Sequence, residues 1–314
     1  MKDIHQNASE PYTVNVGIST AWNALRHKSG RKMVRELLDL GFDTLELNVH
    51  VTEPVIREIE QMVNKGEIRI CSLHNCCPLP KGMPREKAAV NIPIASPNDS
   101  ERRKAVDQTR QTIEWAARLG ASAVVIHAGI IPGEHRQREA LRLMAAGFRE
   151  DAEKIVAEDL MERSAVRQTY IHSVTASLDE LSRLAEQAGI KLGLETRYYY
   201  GEIPSLEEFG IIFQSVSSPA LGYWHDTGHA HAMEFLGIAG HDDYLKQYGD
   251  RLIGIHLHDA IGGSDHRALG RGQIDFTKIM EYVRPETTMV LEIHGQASAA
   301  DVIRSREILK GSLK

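Results

Sequence analysis

The chain alternates short apolar runs with amphipathic stretches along most of its length. Eight of these runs read as β-strands, and they are TVNVGIS (13–19), TLELN (44–48), RICSLH (69–74), AVVIH (123–127), KLGLE (191–195), LGYWHD (221–226), LIGIH (252–256) and MVLE (289–292). The segments between them repeat apolar residues at helical spacing, as over 31–40 and 55–63. The pattern predicts strands that alternate with helices.

Several helix ends can also be predicted from local sequence. Ser100 is expected to cap one helix. Ser177 and Ser205 are each followed by a glutamate at the third position, which is the signature of a capping box. The last helix is expected at about 298–310.

Eight strands alternating with helices, without a linker or a composition break, predict an α/β protein of the (β/α)8 TIM-barrel type. We expect one domain over 1–314, with an open doubly wound sheet as the alternative. Residues beyond the roughly 250 of a typical barrel fall in a proline-rich loop at 78–99 and a helical insertion at about 134–170, after the fourth strand. Both segments follow strands with polar ends, so we expect them to wall the pocket.

Composition narrows the class of protein. With 314 residues, 42% hydrophobic and 25% charged, the chain can bury a sizeable core. It contains no apolar run near the roughly 20 residues of a membrane span, and its N-terminus, MKDIHQNASEPYT, lacks the order of a signal peptide. The three cysteines fit a reducing compartment, so we expect a cytoplasmic protein. The net charge of −6 argues against a nucleic-acid partner.

Six of the predicted strands carry an acidic or histidine residue at or just past the C-terminal end, and these residues are His74, His127, Glu195, Asp226, His256 and Glu292. Such side chains are costly to bury alone, and strand ends form the active site of a barrel. Their recurrence predicts convergence on a shared cation. Carboxylates with imidazoles suit a divalent metal such as Zn²⁺, Mn²⁺, Co²⁺ or Mg²⁺.

Further histidines cluster near these strand ends. In HDTGHAH (225–231), Asp226 and His229 are three positions apart across a strand-to-helix turn and can face one centre. HLHDAIGGSDHRALGRGQIDF (256–276) and LEIHG (291–295) are similarly dense. The alternative is that these histidines are satisfied residues of the core and loops. For those on predicted helices or outer loops we expect solvated side chains, and these are His50, His135, His172 and His241.

These motifs resemble the xylose isomerase-like TIM-barrel superfamily, which groups sugar isomerases and epimerases with endonuclease IV. Members carry a Glu at the fifth strand, DxxH after the sixth, HLHD or HLND at the seventh, a DH…GxGxIDF stretch and a final Glu. Here these read Glu195, DTGH (226–229), HLHD (256–259), DHRALGRGQIDF (265–276) and Glu292. The resemblance runs from GIST (17–20) to LEIHG, and it is specific from His127 onward.

The resemblance implies a set of metal ligands. Glu195, Asp226, His256 and Glu292 match the four ligands of the metal used by the isomerases and epimerases. His74 and His127 match residues that hold a second metal with Glu195, and His229 and His266 match two ligands of a third. At the position expected for the third-metal aspartate stands Ser264, and Asp265 is one place out of register. We therefore expect one or two ions.

The same resemblance implies the function that we favour, a metal-dependent isomerase or epimerase of a small sugar or sugar-like polyol. Glu195 and Glu292 would move a proton through a metal-stabilised enediolate. Dehydration by the same enolate chemistry belongs to this interpretation as well. The candidate substrate-binding residues are His229, His74, Arg197, Arg271 and Glu46, with a salt-bridge role as the alternative for Glu46.

The alternative is a phosphodiesterase similar to endonuclease IV that acts on abasic DNA, with the basic loop 81–87 on the backbone. A sugar-binding barrel without catalysis is a third class, and it does not need two carboxylates and two histidines around a cation. Homo-oligomers are frequent among similar barrels, and the sequence leaves the oligomeric state open.

Overall fold

The computed structural model describes residues 16–88 and 93–312. Its parallel barrel is closed by eight strands, in which each strand pairs with its neighbour in the chain and the last pairs with the first. The barrel strands are β1 (Val16–Ser19), β2 (Thr44–Leu47), β3 (Arg69–His74), β4 (Ala123–Ile126), β5 (Lys191–Glu195), β6 (Leu221–Asp226), β7 (Leu252–Leu257) and β10 (Thr288–Leu291), and a separate antiparallel pair, β8 (Asp259–Ile261) and β9 (Ser264–Arg267), lies between β7 and β10.

The predicted (β/α)8 barrel is confirmed, and the open doubly wound sheet is excluded because the sheet closes on itself. All eight predicted runs contain a barrel strand. Residues 13–15 of the first run, the rest of the N-terminal segment and residues 89–92 of the proline-rich loop lie outside the described residues.

Ten helices are described, and they are α1 (Gly30–Asp39), α2 (Glu53–Asn64), α3 (Asp99–Arg118), α4 (Gln137–Ala145), α5 (Arg149–Gln187), α6 (Leu206–Ser215), α7 (Thr227–Phe235), α8 (His241–Tyr248), α9 (Phe276–Met280) and α10 (Ala299–Ser312). Over residues 16–88 and 93–312, no helix is both long enough and apolar enough for a membrane crossing.

Two of the predicted helix starts are wrong. Asn98, not Ser100, caps α3, since its side chain accepts hydrogen bonds from the backbone N–H groups of Ser100 and Glu101. Ser177 lies inside α5, where its hydroxyl donates to the carbonyl of Ile94 at 2.7 Å. The capping box at Ser205 is confirmed and begins α6.

The segment between β4 and β5 is helical, as expected for 134–170, but it does not form a separate unit. Residues 134–170 comprise α4 and the first part of α5, which is 39 residues long in all and ends at Gln187, shortly before β5. A small apolar core joins α4 and α5 to α7, and it contains Ala140, Leu141, Ala152, Val156, Tyr200, Ala232, Met233 and Leu236. This core packs the helical segment against the helix that follows β6.

The barrel interior is filled by one large side chain, that of Trp224. It is fully buried among Ala123, Val125 and Val290. Gly254 of β7 faces the indole so closely that a Cβ atom there would overlap it. Because side chains alternate along a strand, the inward positions two residues beyond Trp224, Gly254 and Val290 lie above this floor.

Candidate metal centre

Strand alternation brings four of the predicted ligands together at the C-terminal end of the barrel. We call Glu195, Asp226, His256 and Glu292 the barrel cluster. All four are buried, and each offers a donor atom within 4.8 Å of the others. Each comes from a different strand or strand end, so the closed barrel itself positions them.

The ring of His256 lies at the centre of the barrel cluster. Its Nδ1 is 2.5 Å from Glu195 Oε1, 3.0 Å from Glu292 Oε2 and 3.6 Å from Asp226 Oδ2. Its Nε2 is 3.0 Å from Glu46 Oε2, and Ser72 donates to the same oxygen at 2.8 Å. Nδ1 is therefore the nitrogen that faces the other ligands, and Glu46 orients the ring from behind.

Glu46 does not lie where the substrate-binding role that the sequence predicted would require. Its side chain is fully buried, is absent from the cavity lining and contacts His256 and Ser72. It can act on substrate only through the imidazole of His256.

Asp226 is held by groups that the sequence placed nearby without assigning their contacts. As the N-cap of α7, it accepts a hydrogen bond from the backbone N–H of His229 at 2.8 Å. His258 Nε2 lies 2.9 Å from Asp226 Oδ1, and its Nδ1 accepts from the backbone N–H of His266. Nε2 of His258 therefore carries the hydrogen and donates to Asp226.

A second group of candidate ligands shares Glu195 and contains His74 and His127. The rings of His74 and His127 meet edge to face at 4.4 Å between centroids, and His127 Nε2 contacts Glu195 Oε2. Burial and the charge of Arg197 lower the pKa of His127 to about 3, so its imidazole is neutral and keeps a lone pair for a cation.

Arg197 holds a carboxylate of the cluster. Its guanidinium donates to Glu195 Oε2 at 2.8 Å and to Glu202 Oε1 at 2.9 Å, and the side chain is buried. It lines the cavity, as its predicted substrate-binding role requires, and both of its terminal nitrogens already donate to carboxylates, while its Nε has no hydrogen-bond partner among the described residues. Glu202 is a residue of the site that the sequence analysis missed.

A third group consists of His229, Asp265 and His266. Asp265 Oδ2 lies 3.6 Å from His266 Nε2 and 3.9 Å from His229 Nε2. Counting along the chain placed Asp265 out of register, whereas the β8–β9 hairpin brings its carboxylate to both histidines. His266 adopts φ 51, an uncommon value for a residue other than glycine, so residue spacing alone is a poor guide to this turn.

Charge within the barrel cluster shifts the pKa values in opposite directions. Burial raises the pKa of Glu292 well above its usual range, and the carboxylates of Glu46 and Glu195 add to this against the opposing effect of His256. Burial alone would also raise the pKa of Glu195, but His127 and His256 hold it well below its usual range. Burial lowers the pKa of His256, and the surrounding carboxylates overcome this and raise it well above 6.5. The cluster thus concentrates negative charge around one centre.

An open cavity of about 690 Å³ leads to these groups. His74, His127, His229, His266 and Glu292 line it. The lining also includes residues that were not among the predicted site residues, and these are Asn48, His50, Arg138, Tyr198, Tyr199 and His294. No motif marked Arg138, which comes from α4.

Arg271 is not part of this lining. It lies on an adjacent cavity, is largely exposed and pairs with Asp301 at 2.9 Å. The structure therefore gives its predicted substrate-binding role no contact with the central cavity.

Comparisons with known proteins agree with the fold. The uncharacterized protein MJ1311 of Methanocaldococcus jannaschii is 28% identical over 228 residues, which cover 70% of this chain and 66% of that relative. The structure of a D-tagatose 3-epimerase-like protein aligns with a TM-score of 0.67 at 22% identity, covering 95% of this chain and 97% of the other. That of an IOLI protein with a bound zinc atom aligns with a TM-score of 0.64 at 14% identity, covering 95% and 97%.

The sequence also matches a family description, xylose isomerase-like TIM barrel, over residues 34–310. This range contains every residue of the barrel cluster and seven of the eight barrel strands. The chain belongs to the xylose isomerase-like TIM barrel family.

Proposed function

We propose that this chain is a divalent-metal-dependent isomerase or epimerase of a sugar or sugar-like polyol. The observation that carries the proposal is the convergence of Glu195, Asp226, His256 and Glu292 within 4.8 Å of one another beside an open cavity of about 690 Å³. A cavity of this volume lies in the range of small-molecule sites. The likeness in fold to a D-tagatose 3-epimerase-like protein supports the class of substrate.

The residues present fit a divalent cation. Three carboxylates and one imidazole form a mixed oxygen and nitrogen donor set, which suits Zn²⁺, Mn²⁺, Co²⁺ or Mg²⁺. His127 Nδ1 and Glu46 Oε1 are buried without a hydrogen-bond partner among the described residues, so polar atoms around the cluster remain unsatisfied. Glu195, Asp226, His256 and Glu292 would hold the cation, and His74 and His127 would hold a second with Glu195. When bound, a divalent cation supplies a Lewis acid that acidifies a C–H bond next to a carbonyl.

In this proposal, the carboxylates of Glu195 and Glu292 move the proton. Glu195 and Glu292 approach the same nitrogen of His256, at 2.5 Å and 3.0 Å, so both face one centre. One would accept the proton from the carbon and the other would return it. The carboxylate of Glu195 is fixed by Arg197, which we regard as a positioning residue.

In this proposal, His229 binds a substrate hydroxyl. Its Nδ1 donates to the carbonyl of Thr196 at 2.9 Å, which leaves the lone pair of Nε2 on the cavity side as an acceptor. Its neighbour Tyr198 packs edge to face against the ring, with 5.9 Å between centroids. This packing limits rotation of the imidazole.

The test is solvent exchange. Metal-loaded protein is incubated with a panel of ketoses in deuterated water, and deuterium at the carbon next to the carbonyl is measured by NMR. The proposal expects incorporation that depends on the metal and disappears in Glu292→Gln. In parallel, metal analysis should show loss of bound ion in Glu195→Gln and His256→Ala, and retention in both would remove these ligands from the proposal.

A second candidate function rests on Asp265. Because its carboxylate lies near His229 and His266, these three residues form a candidate ligand group of their own beside the barrel cluster. This arrangement favours a metal-dependent phosphodiesterase acting on abasic DNA. Cleavage of an abasic oligonucleotide without any deuterium exchange into ketoses would make the nuclease the better conclusion.

A further inference from the structure

A separate group of histidine and carboxylate side chains lies outside the barrel. We call His231, Glu234 and His241 the outer cluster. His231 and Glu234 belong to α7, and His241 is the first residue of α8. We propose that the outer cluster binds a Zn²⁺ ion of its own. This proposal does not rest on the proposed function of the barrel cluster.

The three side chains can reach one ion. His231 and Glu234 are three residues apart on a helix, so they share a face. His241 approaches that face from α8, and the three donor atoms lie within 4.8 Å of one another. They line an open cavity of about 640 Å³, which gives the ion a path from solvent.

Each histidine of the outer cluster has a ring nitrogen that no described residue satisfies. Nε2 of His231 and Nε2 of His241 are buried, and neither has a hydrogen-bond partner among the described residues. A buried polar atom without a partner costs about 1–3 kcal/mol, and two such atoms occur here at the same place. An imidazole lone pair is a preferred ligand of zinc, so one ion would satisfy both atoms.

The second ring nitrogen of His241, Nδ1, makes a hydrogen bond that orients the ring for ligation through Nε2. His241 Nδ1 lies 3.0 Å from His225 Nε2, and His225 Nδ1 lies 2.6 Å from the hydroxyl of Tyr223. That hydroxyl lies 2.7 Å from Thr196 Oγ1. With zinc on Nε2, Nδ1 of His241 carries the hydrogen and donates to His225, and the hydrogen bonds beyond it can all point the same way. Zinc-binding histidines are usually held through their second nitrogen in this manner.

The other carboxylates near the outer cluster already have hydrogen-bond or ion-pair partners, which leaves Glu234 as the acidic ligand. Asp242 pairs with Lys246 at 2.9 Å, and Asp243 accepts from the backbone N–H of Gly240 at 2.8 Å. Asp275 caps α9 by accepting from the backbone N–H of Thr277 at 3.0 Å. Glu234 thus completes a set of two histidines and one glutamate, which binds zinc with a fourth position left for water.

The experiment uses the full chain, stripped with a chelator and titrated with Zn²⁺ alone. Bound zinc per chain is measured by elemental analysis after dialysis, and affinity by competition with a chromophoric chelator. We expect His231→Ala to bind one zinc fewer than the unchanged protein. Loss of a ligand should weaken this site by more than the roughly 10- to 100-fold that loss of a residue behind a ligand causes.

Two variants isolate the outer cluster. His172→Ala removes an exposed histidine of α5 and serves as the matched control, which should bind as much zinc as the unchanged protein. The double variant Glu195→Gln/His256→Ala removes barrel ligands, and it should retain the outer zinc, which His231→Ala in the same background should remove. Retention there separates this proposal from the fate of the barrel site.

The proposal is overturned if His231→Ala and His172→Ala bind equal amounts of zinc, or if the double variant binds none. Circular dichroism of each variant checks that it is folded. If His231→Ala is unfolded, the exposed residue Glu234 provides a second test, because Glu234→Gln should also lose the outer zinc. Unchanged zinc content in that folded variant would overturn the proposal as well.

Discussion

The barrel cluster and the outer cluster contain the same kinds of donor but are built in different ways. The barrel donors come from four strand ends, are buried, and contact one another directly. The outer residues come from one helix and the start of the next, and they are less buried, since His231 and His241 are half-buried and Glu234 is exposed. The first arrangement is fixed by the closure of the barrel, whereas the second depends on the single connection between α7 and α8.

The two clusters also differ in how many of their ligands are held by hydrogen bonds from neighbouring side chains. Around the barrel cluster, Glu46 holds His256, His258 holds Asp226, and Arg197 holds Glu195. Around the outer cluster, His225 holds His241 from behind, and no such hydrogen bond to His231 or Glu234 occurs among the described residues. A ligand supported from behind keeps its geometry when the ion leaves. We therefore expect the barrel cluster to be preformed and the outer cluster to be ordered by its ion.

The largest effect is expected from Glu292→Gln in the barrel cluster. The amide keeps the shape of the side chain but cannot exchange a proton, and loss of such a group typically costs about 10²- to 10⁴-fold in rate. Deuterium incorporation into an active ketose, measured as kcat, gives the readout, with the exposed His172→Ala as the control. A folded, metal-loaded Glu292→Gln with an unchanged kcat would show that this carboxylate does not carry the proton.

The next largest effect is expected from Glu46→Gln, which removes the charge behind His256. Since Glu46 contacts the ring and not the cavity, metal affinity should fall about 10- to 100-fold, while KM at saturating metal stays the same. Chelator competition measures the affinity, and exchange kinetics measure KM. A raised KM with unchanged metal affinity would return Glu46 to the substrate-binding role that the sequence predicted.

Strand periodicity predicted that polar strand-end side chains meet at one end of the barrel, and the side chains of the barrel cluster do lie together there. Their role as metal ligands stays a prediction. An apolar run that ends in Glu195 or His256 predicts both the face of the strand on which that residue lies and the end of the barrel that it reaches. Closure of the barrel then brings the ends of the strands together, whatever the lengths of the connecting loops. The same logic failed for Asp265, since a hairpin turn with His266 at φ 51 determines where that carboxylate points.

Residues off the strands were the ones that spacing could not place. His241 was expected to be a solvated histidine, but its Nδ1 lies 3.0 Å from the buried His225. Arg271 was expected in the pocket from its motif, but it pairs with Asp301 on the adjacent cavity. Arg138 lines the central cavity because α4 packs beside that cavity, and no local sequence pattern predicts such tertiary packing.

A third prediction concerns the floor that keeps the barrel cluster rigid. In Gly254→Ala, the added methyl group would overlap the Trp224 ring, and overpacking of this kind costs about 1–3 kcal/mol. Chemical denaturation of the metal-free protein should show this loss of unfolding free energy. Gly311→Ala in α10 is the matched control, because a Cβ there meets nothing within 4 Å, and it should not be destabilised. Equal stability of the two variants would mean that Trp224 does not form a tightly packed floor.

The smallest effect is expected from Asp242→Asn, which sharpens the assignment of the outer cluster. Asp242 lines the same cavity as Glu234 and lies next to His241, so proximity alone would make it a ligand. However, its carboxylate pairs with Lys246 at 2.9 Å, and exposed pairs of this spacing contribute little to stability. Zinc affinity and unfolding midpoint should therefore match those of the unchanged protein, whereas Glu234→Gln loses the ion. If Asp242→Asn also lost it, the carboxylate would have to leave Lys246 for the metal, and the outer cluster would hold its ion through α8 as much as through α7.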